Sequence, residues 1–157
     1  MEQRPTTRSC GPCRGCCKPF TVPEVGKRDA NWCPKSTPCN GCSIYETRPD
    51  ACRKYACVWL NGKGEETDRP DRLGVMMDSE AIQLGSRETG VLHFWELEPG
   101  AIEKPRVRQV ADANKNIGVI IAYHRMLGTD NYETKIWLSN KHYTAEEARF
   151  FEQTYHK

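Results

Sequence analysis

Beyond position 70 the apolar residues fall into short patterned runs that read as alternating strands and helices. Residues 73–78 and 81–84 predict two short strands, and 91–97 a third, in which Val91, Phe94 and Trp95 supply strand-favouring bulk. Glu98-Pro99-Gly100 predicts a turn. Residues 106–116 space Val107, Val110 and Ala113 as one face of a helix. The unbroken apolar run 119–123 predicts a buried strand, and 135–138 another. Thr144-Ala145-Glu146-Glu147 is a capping box, and the helix it opens carries Ala148, Phe151 and Tyr155 on one face. Residues 68–157 are therefore expected to form a small sheet covered by two helices, with Trp95 and Trp137 in its core.

Before position 60 that patterning vanishes. The chain there is rich in Cys, Pro, Gly and Arg, and it cannot bury enough apolar surface to fold without staples. One exception is a helix of one or two turns predicted to start at Pro49. Residues 61–70 are polar and turn-forming and predict a surface connection. The expected fold class is thus α+β: a loop-rich, metal-stapled module over 1–60 packed on the sheet of 68–157, the two compatible with one compact domain.

Composition sharpens this division. All nine cysteines of the 157-residue chain lie between Cys10 and Cys57, and the last hundred residues hold none. Residues 1–60 carry ten Lys/Arg against five Asp/Glu, and 61–157 carry thirteen against sixteen, so the basic half is the cysteine half. No apolar run approaches the length of a membrane helix, and Met1-Glu2-Gln3-Arg4-Pro5 does not open like a secretory signal, so no membrane association and a cytoplasmic location are expected. In a reducing compartment an odd, clustered set of cysteines is better used on metal than on disulfides.

The spacing is Cys10-x2-Cys13-x2-Cys16-Cys17, then Cys33, Cys39-x2-Cys42 and Cys52-x4-Cys57. A two-residue step lets two thiolates from one tight turn reach the same ion, and Gly11-Pro12 and Arg14-Gly15 supply the turns. Adjacent Cys16 and Cys17 do not easily face the same way, which favours two centres close together. Zinc takes four thiolates in a tetrahedron and an iron–sulfur cluster also takes four, so nine cysteines make two sites with one left over. Two divalent ions with four thiolates each leave a charge of about −4, which Arg8, Arg14, Lys18, Lys27, Arg28, Lys35, Arg48, Arg53 and Lys54 are placed to offset. That cancellation makes nucleic acid an unfavoured partner for the basic residues.

Two stretches, Cys10-Gly11-Pro12-Cys13-Arg14-Gly15-Cys16-Cys17 and the run from Cys42-Ser43-Ile44-Tyr45 through Arg48-Pro49-Asp50-Ala51-Cys52-Arg53, resemble a bacterial family. It is the CxxCxxCC, or YkgJ-like, cysteine cluster family, described as a zinc- or iron-chelating domain and including relatives of flagellin lysine N-methylase. The resemblance covers roughly positions 10–59. It implies Cys10, Cys13, Cys16, Cys17, Cys33, Cys42, Cys52 and Cys57 as metal ligands, with Cys39 outside the pattern although Cys39-x2-Cys42 has ligand spacing by itself. It also implies that Pro49 starts a helix aiming Cys52 inward, and that Arg48 and Arg53 donate hydrogen bonds to sulfurs or carbonyls around the ligands.

No other constellation competes. His93, His124, His142 and His156 are scattered away from ligand spacing, Asp112 and Glu147 have no evident partner that would make a catalytic pair, and residues 61–64 lack a complete phosphate loop. Trp32 and Trp59 flank the cysteine module and are expected to shield it. The expectation is a zinc-chelating protein with two sites and no assigned catalytic residue, zinc holding the module together and the sheet serving a protein partner. An iron–sulfur redox protein is the alternative, and a methyltransferase-like activity is implied only by the resemblance.

Overall fold

A computed structural model describes residues 7–116, 118–125, 131–138 and 142–155. Met1 to Pro5 and His156 lie outside the described residues. The chain enters through 3₁₀ turns at Gly15–Cys17 and Pro23–Val25, then a two-residue hairpin of β1 (Ser36–Thr37) and β2 (Gly41–Cys42). Helix α1 (Asp50–Lys54) follows, then the single turn α2 (Pro70–Leu73) and the long strands β3 (Val75–Leu84) and β4 (Arg87–Glu96). Helix α3 (Pro105–Asn114) crosses over to β5 (Gly118–Arg125), β6 (Tyr132–Trp137) comes next, and α4 (Ala145–Tyr155) ends the described chain. The class is α+β, as the patterning predicts.

The four long strands form one mixed sheet in the order β3-β4-β5-β6, antiparallel at both outer pairs and parallel in the centre. The parallel central pair needs a crossover, and α3 supplies it. The sheet is covered on both faces. On one side Val75, Met77, Phe94, Ile120 and Ala122 pack against Ile102, Val107 and Ala111 of the crossover. On the other side Met76, Val91, Trp95, Val119, Ile121 and Tyr123 pack against Phe151 of α4 and against Phe20, Ala30, Trp32 and Tyr55 of the cysteine module. The run 119–123 is continuously apolar because β5 is buried on both faces.

Two differences from the sequence reading have physical causes. The strands expected at 73–78 and 81–84 are one strand, β3, because the polar Asp78-Ser79-Glu80 keeps the strand alternation rather than turning. The connection 61–70 is not featureless. Glu65 and Asp68 form a reciprocal cap on the 3₁₀ turn Glu66–Asp68, and Asp68, only 6% exposed, receives both Nε (2.8 Å) and Nη2 (2.7 Å) of Arg106. Asp112 and Glu147 form surface ion pairs with Lys115 and Arg87 respectively. The capping box at Thr144 is present as expected, with Thr144 N donating to Glu147 Oε2 and Glu147 N donating to Thr144 Oγ1.

The cysteine module is tied to the sheet by backbone. Val58 N donates to Met77 O (3.0 Å) on the edge strand. Arg8 donates to the carbonyls of Trp59, Lys63 and Gly64 and lies over the Trp59 ring, binding the entering chain to the segment after the last cysteine. Close approach at Gly15 is obligatory, since a Cβ there would sit 2.5 Å from Pro70 Cβ. No helix among the described residues is long and apolar enough to cross a membrane.

A cysteine-lined cavity as candidate metal centre

The cysteine module encloses a cavity of about 400 Å³. Its walls include Cys10, Cys13, Cys16, Cys17, Cys33, Cys42, Cys52 and Cys57, all eight residues singled out from the sequence. Cys39 is not among them. It sits exposed in the turn of the β1–β2 hairpin, with φ of 68°, in the left-handed region that favours glycine. All nine cysteines are free thiols.

Short-range backbone bonds set the positions of the sulfurs. Cys13 N donates to Cys10 O (2.9 Å), closing the first two-residue step into a turn. Cys33 N donates to Cys17 O (2.9 Å), Ser36 N donates to Cys33 O (3.0 Å), and Ser36 is the strand partner of Cys42. Cys17, Cys33 and Cys42 are thereby linked through a continuous run of backbone contacts. Gly41 beside them has φ of 69°, and a Cβ there would meet Gly11 O at 2.7 Å, so this glycine lets the hairpin reach the Cys10–Cys13 turn. Cys52 is carried by α1, which begins with Pro49 O accepting from Cys52 N and Arg53 N (both 3.0 Å). Pro49 is the residue before the first helical position rather than that position itself.

Arg48 and Arg53 act on carbonyls. Arg53 donates to Arg48 O (2.9 Å) and Glu46 O (3.2 Å), and Arg48 donates to Tyr45 O while its guanidinium covers the Tyr45 ring. Together they brace the loop that leads into α1. Trp59 is 5% exposed and lines the cavity, and Trp32 is half-buried with the Arg14 guanidinium 3.8 Å above it.

The electrostatics divide the sulfurs into neighbourhoods. Burial raises Cys13 to about 11, with Asp71 and Cys57 adding to the rise and N–H bonds opposing it. Cys57 is raised first by burial and then by the charge of Cys10. Cys52 is raised by burial and by Cys17, Cys33 and Cys42. Cys16 and Cys17 act on one another: Cys17 and burial raise Cys16 strongly, while Cys16 lowers Cys17 to about 7, with Ser36, Lys27 and Arg14 also favouring the Cys17 thiolate. The remaining charges acting on Cys16 are those of Cys10 and Cys13.

Two further features favour anionic sulfur. Gly15 N lies 3.5 Å from Cys13 Sγ and Leu60 N lies 3.5 Å from Cys57 Sγ, amide donors that stabilise a thiolate. Lys18 and Lys27 are 0% and 2% exposed, and Lys27 is within the field of Cys17 and Cys33 while its Nζ donates to the carbonyls of Lys18 and Arg28. A buried ammonium is costly unless negative charge lies nearby. Ser36 was not singled out from the sequence, yet its hydroxyl donates to Cys33 O and favours the Cys17 thiolate. Its place three residues after Cys33 was the available signal.

Among the described residues no three His, Cys, Asp or Glu side chains are grouped so as to hold a metal ion as they stand. The sulfurs surround a space rather than meeting at a point. In kind and number they fit soft, thiolate-bound ions, and closing on an ion requires rotation of the thiols. Comparison of the chain with family models, with curated proteins and with solved structures returned no match. The family resemblance therefore rests on the two cysteine motifs alone.

Proposed function

We propose that this chain is a metalloprotein whose eight cavity cysteines bind two zinc ions, four thiolates to each, and that the ions hold the N-terminal module folded. The observation that carries this reading is the selection made by the cavity: eight of nine cysteines line it, and the one outside the motif does not. Four-thiolate zinc is closed and structural, and its binding free energy becomes folding free energy in a module with little apolar interior.

The backbone links and the mutual fields of the sulfurs support a division into Cys10, Cys13, Cys16 and Cys57 on one ion and Cys17, Cys33, Cys42 and Cys52 on the other. Cys16 and Cys17, adjacent in the chain, are where the two sets meet. Buried Lys18 and Lys27 on the second set, and amide donors to Cys13 and Cys57 on the first, offset the thiolate charge.

Elemental analysis of the purified protein tests the reading. Two equivalents of zinc are expected, retained in Cys39→Ser and reduced to one in Cys33→Ser or Cys57→Ser. A metal-free protein that folds normally with reduced thiols would overturn it. Iron with acid-labile sulfide and visible charge-transfer absorption would replace zinc with an iron–sulfur cluster on the same cysteines.

A further inference from the structure

A second concavity, of about 430 Å³, opens on the sheet face that carries the cysteine module, away from the eight thiols. Its floor follows from strand register. Asp78 on β3 pairs with His93 on β4, and Trp95 pairs with Tyr123 on β5. Side chains two apart on a strand share a face, so Asp78, Glu80, His93, Trp95 and Tyr123 all project to this side. Phe20 of the cysteine module forms one wall and Tyr155 of α4 the opposite one.

The floor is aromatic and firmly held. Trp95 and Tyr123 stack with centroids 3.7 Å apart and planes 3° from parallel, Phe20 meets Trp95 edge-on at 5.8 Å, and Tyr155 meets His93 at 5.4 Å. His93 is 7% exposed and both its nitrogens are used: Nδ1 bonds the Tyr123 hydroxyl and Nε2 bonds Glu80 Oε1, each at 3.0 Å. The Tyr155 hydroxyl donates to the same Glu80 oxygen.

The rim is acidic. Asp78 is half-buried and lies in a part of the cleft that no lysine or arginine lines among the described residues. Among the described residues Glu80 has only His93 as a potential cation within 4 Å. Elsewhere on this surface acidic side chains do find Lys or Arg, as Asp68, Asp71, Glu103 and Glu147 show. Three carboxylates, of Asp29, Asp78 and Glu80, beside aromatic walls, in a concavity the size of a small-molecule site that no lysine or arginine lines among the described residues, present a negative field and apolar surface together. That combination selects an organic cation, whose charge meets the carboxylates while its alkyl groups lie against the half-buried rings of Phe20 and Tyr155, Trp95 and Tyr123 being only 5% and 2% exposed beneath them. A bare metal ion is a poorer match, because Asp78, Glu80 and His93 are not grouped to hold one and His93 has no free nitrogen.

We propose that the cleft bounded by Asp78, Glu80, His93, Trp95, Tyr123 and Tyr155 is a binding site for a small alkylammonium group, free or carried on a larger molecule. The site is independent of the zinc reading and stands or falls separately from it.

The test is titration of the intact protein with choline, with n-butylammonium and with 3,3-dimethyl-1-butanol, the uncharged isostere of choline, followed by backbone amide chemical shifts. Either cation is expected to bind in the millimolar range and to move the amides around Asp78–Glu80, His93–Trp95 and Tyr123, while the neutral isostere leaves them in place. Glu80→Gln and Asp78→Asn are each expected to weaken the cation by roughly tenfold. Glu103→Gln, on the surface of the crossover, is expected to bind as the parent does. Amide dispersion of each variant shows whether its fold is retained, and the unmutated protein tests the proposal even where a variant unfolds. Binding of the isostere as strong as that of choline, or no cation-dependent shift in this range, would overturn it.

Discussion

Asp68 shows how much one side chain decides. It caps the 3₁₀ turn through Glu65 N (2.8 Å) and takes a two-pronged contact from Arg106 at the start of α3, joining the connection between the modules to the crossover helix. Those bonds, led by the Arg106 guanidinium, hold its carboxyl below the usual carboxylate range. Asp68→Asn is expected to destabilise the fold by about 1–2 kcal/mol at neutral pH, at the low end for a charged hydrogen bond because Arg106 is partly solvated. A folded-state pKa that is depressed contributes stability above the unfolded value and loses it as pH falls through the folded one. The gap between parent and variant in urea melts should therefore hold across neutral pH and close as pH drops below the carboxylate range; a gap that widens in acid would contradict the assignment. Cys39 is the opposite case, an exposed thiol in a conformation that suits glycine. Cys39→Gly is expected to leave metal content intact and to stabilise by up to about 1 kcal/mol by relieving the left-handed backbone, which a rise in thermal midpoint would register.

At the level of elements, α4 is the clearest test of packing. Its cap was legible because Thr144 and Glu147 bond each other's amides whatever the rest of the chain does. Phe151, 0% exposed, buries the helix on the sheet beside Tyr143 and Tyr155. Phe151→Ala is expected to cost about 3–5 kcal/mol in denaturant melts; a loss under 1 kcal/mol or so would mean the site collapses around the gap or that α4 is not docked. Because Tyr155 rides on the same helix, the variant should also weaken cation binding at the cleft. Strand β3 was harder to read. Its centre, Asp78-Ser79-Glu80, is polar, and polarity in a short window resembles a turn. Ten consecutive partners on β4 keep it extended, and that pairing belongs to the hairpin rather than to the three polar residues themselves.

On the scale of the whole molecule, the two modules share one interior. Ala30, Phe20, Trp32 and Tyr55 pack with Trp95, Ile121 and Phe151, so the cysteine module covers a sheet face that would otherwise meet water. The sheet also has a separate core under α3 that touches no cysteine. Stripping metal with a chelator is therefore expected to release the cysteine module while the sheet stays folded. In hydrogen exchange the amides of residues 10–60 should lose protection and those of β4 and β5 keep theirs. Unchanged protection over 10–60 after complete metal removal would count against ions as the staple.

The sequence by itself determined what is local. It specified the strands at 91–97 and 119–123, the helix over 106–116, the cap at Thr144 and the separation of cysteines from the rest of the chain, because periodicity, capping and clustering are written between near neighbours. Only the tertiary structure decided what depends on residues far apart: that eight of the nine cysteines line one space, and that Asp78, Glu80, His93, Tyr123 and Tyr155 share a cleft. The reason is register. Sliding β3 on β4 by one residue would turn Asp78 and Glu80 to the opposite face, and that alignment is fixed by the burial of both sheet faces at once, a condition no short stretch of the chain contains.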